Sequence, residues 1–184
     1  LHYPLRRQRQ MCIRDRGLQG MSATRIDVQA YRGSGEIEDI DSKYVQPGMK
    51  LSGNDSQDDL KSNGEMFRNY RAQSWTWLRD RFYMTYIAVT RAKEGKLVNV
   101  DPASLISISS KCKCFQQLTS ELSWPKRIYD DNGKILVESK KQMRARDVES
   151  PNLADAAVIV FSAKPPEAVK RKNINVVVPR DHFN

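Results

Sequence analysis

An acidic residue inside an apolar run is the feature of this sequence that most directly suggests chemistry. Asp155 lies in the stretch from Ser150 to Phe161, which predicts a helix with Ser150 as its N-cap and Pro151 at its first helical position. The run is almost wholly apolar, so we expect this helix to be buried. A carboxylate there is costly unless it pairs with an Arg or a backbone N–H, or binds a metal ion. The residues alone leave both interpretations open.

The distribution of charge points to a polyanionic partner. The chain carries a net charge of +9, and its first 60 residues are charge-balanced, so the whole excess lies in 61–184. Such a basic body favours nucleic acid as a partner, although an ordinary basic surface has the same composition. A short basic helix is predicted just before the Asp155 helix, and further arginines lie on a long upstream helix. The candidate DNA-binding residues from these helices are Lys140, Lys141, Arg144, Arg146 and Arg71.

Composition and length exclude several other classes of protein. A chain of 184 residues with 39% hydrophobic and 29% charged residues is long enough for one folded domain with a core. It has no apolar run of about 18 residues, so no membrane span is expected. Neither is a signal peptide predicted. Three cysteines, with only Cys112 and Cys114 close together, are too few for a zinc site and suggest reduced thiols in a cytoplasm.

The elements that must position these residues can be predicted from periodicity and turn signals. Asn63 is expected to cap one long helix that runs to about Glu94, with a break near Thr85 to Val89 as an option. We expect Trp75 and Trp77 to be core residues rather than platforms for bases. The other predicted elements are a strand at Arg25–Tyr31, a surface loop at Glu36–Leu60, a strand or helix start at Leu105–Ile108, a helix at Lys111–Leu122 ended by Trp124-Pro125, a hairpin of Lys126–Tyr129 with Lys134–Glu138, and an unplaced edge strand at Val176–Val178.

Four segments of the sequence resemble, in the same order, the nuclease domain of bacteriophage terminase large subunits. The first is FRNYRAQSWTWLRDRF, from Phe67 to Phe82, which is similar to the long helix of that domain. The second consists of Leu105–Ser110 together with Glu121–Ser123. The third is Gly133–Val137, which resembles the hairpin before the last helix. SPNLADA with its apolar continuation is the fourth. The resemblance covers roughly Tyr31 to Ala163.

The resemblance implies both a fold and an activity. The expected fold is α/β, a truncated ribonuclease H-like mixed sheet flanked by helices, with a β-hairpin before the last core helix. The expected activity is a two-metal endonuclease, using Mg²⁺ or Mn²⁺, that cuts concatemeric phage DNA during genome packaging. Asp155 is then the last acid of the metal cluster. The family's earlier acids precede the matched part, and no convincing substitute is found at Asp27, Glu36, Asp39 or Asp41.

The resemblance also sets the expected organisation and partners. Residues 1–20 are interpreted as a non-native extension, because Leu1–Arg16 has no periodicity and Met11–Arg16 resembles the translation of a transposon end used to prepare sequencing libraries. Residues 21–163 are interpreted as a partial nuclease domain, and 164–184 as a C-terminal tail. ATP would bind only to a motor domain missing upstream, and the fragment alone is expected to be inactive. The implied partners are double-stranded DNA, portal protein, terminase small subunit and further copies of the motor, in the host cytoplasm and without a membrane.

Two other functions remain open from the sequence. A non-catalytic DNA-binding or docking module of a packaging complex needs only the basic helices. The discriminating feature is whether two more carboxylates flank Asp155 in space. A Holliday-junction-type resolvase ranks lower, because it would lack the long-helix motif.

Overall fold

The structure, a computed structural model, describes residues 31–48 and 59–162 and the backbone of Ile174–Val176. The chain divides into two units, Leu1–Arg32 and Gly33–Asn184, and the architecture below is that of the second. The predicted adapter segment Leu1–Arg16 lies outside the described residues, as does the predicted strand at Arg25–Tyr31 apart from its last residue. Within the described ranges, no helix has both the length and the apolar character needed to cross a membrane.

One long helix organises the described elements. In chain order, the elements are α1 (Asn63–Met66), α2 (Tyr70–Lys93), β1 (Val98–Val100), a 3₁₀ turn (Pro102–Ser104), α3 (Phe115–Ser123), β2 (Arg127–Tyr129), β3 (Ile135–Val137), α4 (Lys140–Arg144), α5 (Asn152–Ser162) and β4 (Ile174–Val176). The strands form two antiparallel pairs, β1 with β4 and β2 with β3. Helix α2 packs against α5, β1 and β3, and α3 packs against α5.

The single helix predicted from Asn63 to Glu94 is wrong, because the chain breaks at Phe67. This residue is extended and fully buried, where it bridges to Ile135 and meets the ring of Tyr44 edge-on. Asn69 then caps α2 by accepting the amide N–H of Ala72. Burial of one aromatic ring against a distant strand, with a new cap two residues later, therefore overrides the local helical pattern.

The predicted cap and the optional second break also differ from the structure. Ser62, not Asn63, caps α1, through a capping box with Glu65. Asn63 is instead buried and donates from its side chain to two carbonyls of the upstream loop. Helix α2 runs unbroken through Thr85–Val89, where the Thr85 hydroxyl donates to the Arg81 carbonyl and accepts the amide N–H of Ile106.

The two halves of α2 pack differently. Its last turns place two alanines against two valines of β1, with Met84 and Leu105 alongside. Trp75 and Trp77, predicted as core, are only partly buried. Trp75 and Phe82 line a groove of about 360 Å³ between α2 and α3.

The elements after α2 follow the sequence patterns more closely. Helix α3 begins later than predicted, at Phe115, and ends at Trp124 as expected. The predicted hairpin is confirmed, with Tyr129 opposite Ile135 and a turn in which Gly133 has φ +72°. The Asp130 carboxylate accepts the amide N–H groups of Asn132 and Lys134 and so fixes the turn.

The remaining predictions have mixed outcomes. Residues 36–48 form turns and bends, as expected of a surface loop, but Tyr44 anchors them by donating to Asp80. The segment Leu105–Ile108 forms neither strand nor helix. A late strand does exist, at Ile174–Val176, and pairs with Val98–Val100, which was not predicted as a strand.

Candidate functional site

Asp155 lies in the first turn of α5 and is held between two cations. Its Oδ1 atom is 3.4 Å from Nη2 of Arg71, and its Oδ2 atom is 3.0 Å from Nζ of Lys140. The carboxylate remains 22% exposed. The pairing of this carboxylate with an arginine, which the sequence left open as the alternative to metal binding, is therefore present in the structure. Because the Arg71 contact is long and the side chain is partly open, the oxygens keep room for another ligand.

The start of α5 differs from the local cap that the sequence predicts. Pro151 lies before the helix, and its carbonyl accepts the amide N–H of Asp155 at 2.8 Å. The Ser150 hydroxyl contacts the side chain of Asn152 instead of a backbone N–H. The free amides of Leu153 and Ala154 donate to one carboxylate oxygen of Glu121, which belongs to α3. The helix that carries Asp155 is thus capped by a residue 32 positions upstream of Leu153.

A second, more buried carboxylate lies just before α4. Glu138 accepts two hydrogen bonds from the Arg146 guanidinium, at 2.7 and 2.6 Å, and one from the amide of Lys126. The bonds from Arg146 lower the pKa of Glu138 below its ordinary value. The same pairing raises the pKa of Arg146. Arg146, predicted to bind DNA, is therefore committed to holding the end of the hairpin.

Arg71 connects the two carboxylate sites. Its Nη1 atom donates to the backbone carbonyl of Glu138 at 2.9 Å, while Nη2 faces Asp155. The guanidinium also lies over the ring of Trp75, with its carbon 5.9 Å from the ring centroid. This side chain was predicted to bind DNA, but its donors and its face contact protein groups. Its location suits it to hold Asp155 in place.

Two of the predicted DNA-binding cations are exposed and form no ion pair with the described residues. Lys141 and Arg144 are exposed on α4, and neither forms an ion pair with any residue that the structure describes. Arg144 lines a shallow cavity together with Asp147 and Glu149, so its surroundings are not uniformly positive. The basic surface available to a polyanion is thus smaller than the four-residue cluster that the sequence suggests.

The donor set around Asp155 fits one ligand of a divalent metal ion but not a complete site. A carboxylate oxygen on a helix fixed at its first turn is a hard donor of the kind that Mg²⁺ and Mn²⁺ prefer. Across residues 31–48 and 59–162, no three His, Cys, Asp or Glu side chains lie close enough together to share a metal ion. The expected cluster of acids is therefore not assembled by the described part of the chain.

Comparisons with solved structures identify relatives of this fold. The nuclease domain of the large terminase subunit of bacterial virus Sf6 is 30% identical, with a TM-score of 0.58 over 74% of this chain. A variant of the same domain, solved with manganese and β-thujaplicinol, is 28% identical, with a TM-score of 0.66 over 85% of this chain. The resemblance to terminase nuclease domains is confirmed. The predicted α/β fold class is confirmed with it.

The match to these terminase domains is partial in length. The chain spans about half of the first neighbour, 53%, and 61% of the manganese and β-thujaplicinol variant. A further terminase variant, solved with calcium, is 30% identical and is covered over 52% of its length. Neither a family model nor a curated protein matches the chain.

Sequence reasoning missed two acidic residues that hold the elements around Asp155 in place. Glu121 and Glu138 are both acidic residues in otherwise mixed segments, and both are buried in the structure, at 3% and 4% exposure. One signal was available, since Glu121 follows Gln117 by one helical turn and shares the face of Leu118. For Glu138, the strand pattern gave no such signal, because the buried residue of β3 is Ile135, which lies on the opposite face from Leu136 and Glu138.

Proposed function

We propose that this chain is part of the metal-dependent endonuclease domain of a phage large terminase subunit, which cuts concatemeric DNA during genome packaging. The observation that carries the proposal is the location of Asp155, on the first turn of the last core helix in a fold similar to terminase nuclease domains. In this proposal, Asp155 is one ligand of a Mg²⁺ or Mn²⁺ site whose other acids come from outside the described residues. Two such ions would supply an activated water and neutralise the leaving oxygen.

The proposed role of the protein groups follows from their contacts. Arg71 fixes the orientation of the Asp155 carboxylate through Oδ1, while its other donor is anchored on the Glu138 carbonyl. Lys140 balances the charge of the second oxygen, at 3.0 Å. Because both cations are partly exposed, they can yield space at the carboxylate without leaving a buried charge unpaired.

DNA would be held by exposed cations on α4, the helix before the one that carries Asp155. Lys141 and Arg144 are exposed on α4 and form no ion pair with the described residues, and contacts from such side chains to phosphates carry no sequence preference. The wider assembly in this proposal comprises double-stranded DNA, the portal protein, the small subunit and other copies of the motor in the host cytoplasm. ATP would be used only by a motor domain upstream.

The neighbours' metals agree with the proposed cofactor class. Structures of the Sf6 terminase nuclease domain were solved with manganese and with calcium. Both are divalent ions that bind oxygen ligands, as a carboxylate site requires.

Plasmid cleavage in Mg²⁺ or Mn²⁺ tests this function. The longest gene product that contains this sequence should convert supercoiled plasmid to open and linear forms. Its Asp155→Asn variant should lose roughly three or more orders of magnitude in rate, because metal activation of water supplies much of such an enhancement. A Glu94→Gln variant, which changes an exposed carboxylate on the same chain, is the matched control and should cut normally. Undiminished cleavage by Asp155→Asn would refute the proposal.

A non-catalytic DNA-binding module is the second candidate, and one observation favours it. Asp155 is paired with Arg71 and Lys140, and the described residues hold no cluster of acids around it. In that case the gene product would bind DNA but would not cut it in any divalent metal. Binding without cleavage in the plasmid assay would therefore select this candidate.

A further inference from the structure

The start of the Asp155 helix depends on a buried carboxylate from another helix. Glu121 is 3% exposed, and its Oε2 atom accepts the amide N–H groups of Leu153 at 2.6 Å and Ala154 at 3.2 Å. Its Oε1 atom accepts a hydrogen bond of 2.9 Å from the Gln117 side chain. Both carboxylate oxygens are thus satisfied by protein donors.

The physical chemistry of a helix N-terminus explains this contact. The first amides of a helix have no partner within the helix, and the aligned peptide dipoles leave a partial positive charge there. A buried carboxylate is therefore stabilised at this position rather than penalised. The nearby residues do not supply a local cap, because Pro151 has no side-chain oxygen to accept an amide N–H and the Ser150 hydroxyl contacts the Asn152 side chain.

The two capped amides belong to the residues immediately before Asp155. We infer that Glu121 is a positioning residue for Asp155: it fixes the first turn of α5, and hence the point from which the Asp155 carboxylate meets Arg71 and Lys140. This inference concerns the geometry of α5. Its consequence for metal binding rests on the function proposed above.

The consequence for metal binding follows from how ligands are held. Groups that orient a metal ligand without touching the metal typically contribute about tenfold to a hundredfold in metal affinity. Loss of the cap would let the first turn of α5 fray, and Asp155 would then occupy its position only part of the time. Gln at position 121 keeps one oxygen acceptor, so Glu121→Gln should be milder than Glu121→Ala.

The test uses the full chain, labelled with ¹⁵N, and compares Glu121→Ala and Glu121→Gln with wild type. Glu65→Ala is the matched control, because Glu65 also accepts a backbone amide at the start of a helix, but at α1. Amide hydrogen exchange at Leu153 and Ala154 reports the cap directly. Mn²⁺-induced broadening of the Asp155 amide reports affinity at the carboxylate.

Glu121→Ala should speed exchange at Leu153 and Ala154 by about tenfold or more, since a hydrogen bond to a charged group protects by that order. It should also weaken the Mn²⁺ effect at Asp155 by about tenfold. Glu121→Gln should give smaller changes in the same direction, and it keeps the test decisive if Glu121→Ala fails to fold. Glu65→Ala should change neither signal.

Two results would overturn the inference. One is unchanged exchange at Leu153 and Ala154 in both Glu121 variants. In a wild type that shows a Mn²⁺ effect at Asp155, the other is accelerated exchange at these amides with that effect unchanged, which would make Glu121 a cap without a positioning role. If wild type shows no Mn²⁺ effect at Asp155, the proposed function fails. The exchange data then decide alone, and acceleration confined to the first turn of α5 supports the positioning of Asp155.

Discussion

Arg71 contacts both Asp155, through its carboxylate, and Glu138, through its backbone carbonyl, and the carboxylates of these two residues lie in environments of opposite character. The Glu138 side chain is 6% exposed and is held by two short hydrogen bonds from one guanidinium, at 2.7 and 2.6 Å. The Asp155 side chain is 22% exposed and is shared by two different cations at 3.4 and 3.0 Å. A tight, bidentate, buried pair is typical of a structural contact, whereas a loosely shared, open carboxylate can exchange a cation for another ligand.

This difference separates the roles of neighbouring charges. Glu138 and Arg146 fasten the end of the hairpin to the region after α4, and Arg146 also donates to the Trp124 carbonyl. Asp155 and Lys140 contribute little to that scaffold. The comparison therefore predicts that mutations at the first pair change stability, and that mutations at the second change binding.

The largest effect on stability is expected for Arg146→Ala. This change leaves Glu138 as a buried carboxylate without its main partner, which is one of the more destabilising classes of substitution. Lys140→Ala is the matched control, because it removes a cation from the exposed carboxylate and should cost about 0.5 kcal/mol. In urea unfolding, the midpoint of Arg146→Ala should fall below that of wild type by several times as much as the midpoint of Lys140→Ala does. Equal shifts would remove the distinction between the two sites.

The pH dependence of stability should come from Glu138. Its pKa in the folded protein is lowered below the ordinary value of a glutamate, mainly by the Arg146 hydrogen bonds. Its contribution to stability is therefore present above the unfolded pKa and is lost as the pH falls through the lower folded pKa.

Unfolding midpoints of wild type and Glu138→Gln, measured from about pH 7 down to about pH 3, should converge at the acidic end. Glu94→Gln is the matched control. Glu94 also has a lowered pKa, from Lys96, but this pair is exposed and screened. A gap between wild type and Glu138→Gln that stays constant with pH would contradict the assignment.

The smallest effect on stability is expected at the exposed cations of α4. Lys141→Ala with Arg144→Ala should leave the free energy of unfolding within about 0.5 kcal/mol of wild type. The same double variant should reduce the slope of log affinity against log salt for duplex DNA by about two, because two phosphate contacts are lost. Lys111→Ala with Lys113→Ala removes the same charge before α3 and is the control. An unchanged slope in the α4 variant would rule out this surface.

The contrast between local and distant contacts also explains which features the sequence could predict. The hairpin was predictable because its signals are adjacent, with Asn132-Gly133 at the turn and Gly133 in the left-handed region. The cap of α5 was not predictable, because it comes from Glu121 on another helix, and no local rule reaches it. The break at Phe67 could not be predicted for the same reason, since its cause is the burial of Phe67 against the distant residue Ile135.

The candidate site shows the same limit. Asp155 could be placed on the first turn of an apolar helix, because the helical pattern and the acid are in one stretch. Its pairing with Arg71 could not be predicted, since the two residues are 84 positions apart and meet only because α2 packs against α5. Arg71 and Arg146 were predicted from composition to bind DNA, yet a count of positive charges does not reveal which cations already hold a carboxylate.

The central claim is that Asp155 is a ligand for a divalent metal ion, and a Mn²⁺ titration of the full ¹⁵N-labelled chain tests it most directly. Paramagnetic broadening should be strongest at the amides of the first turn of α5, because Mn²⁺ prefers carboxylate oxygen ligands. It should disappear in Asp155→Asn, which keeps the shape of the side chain but removes its charge, and it should persist in Glu138→Gln. Broadening that is the same in wild type and Asp155→Asn would contradict the claim.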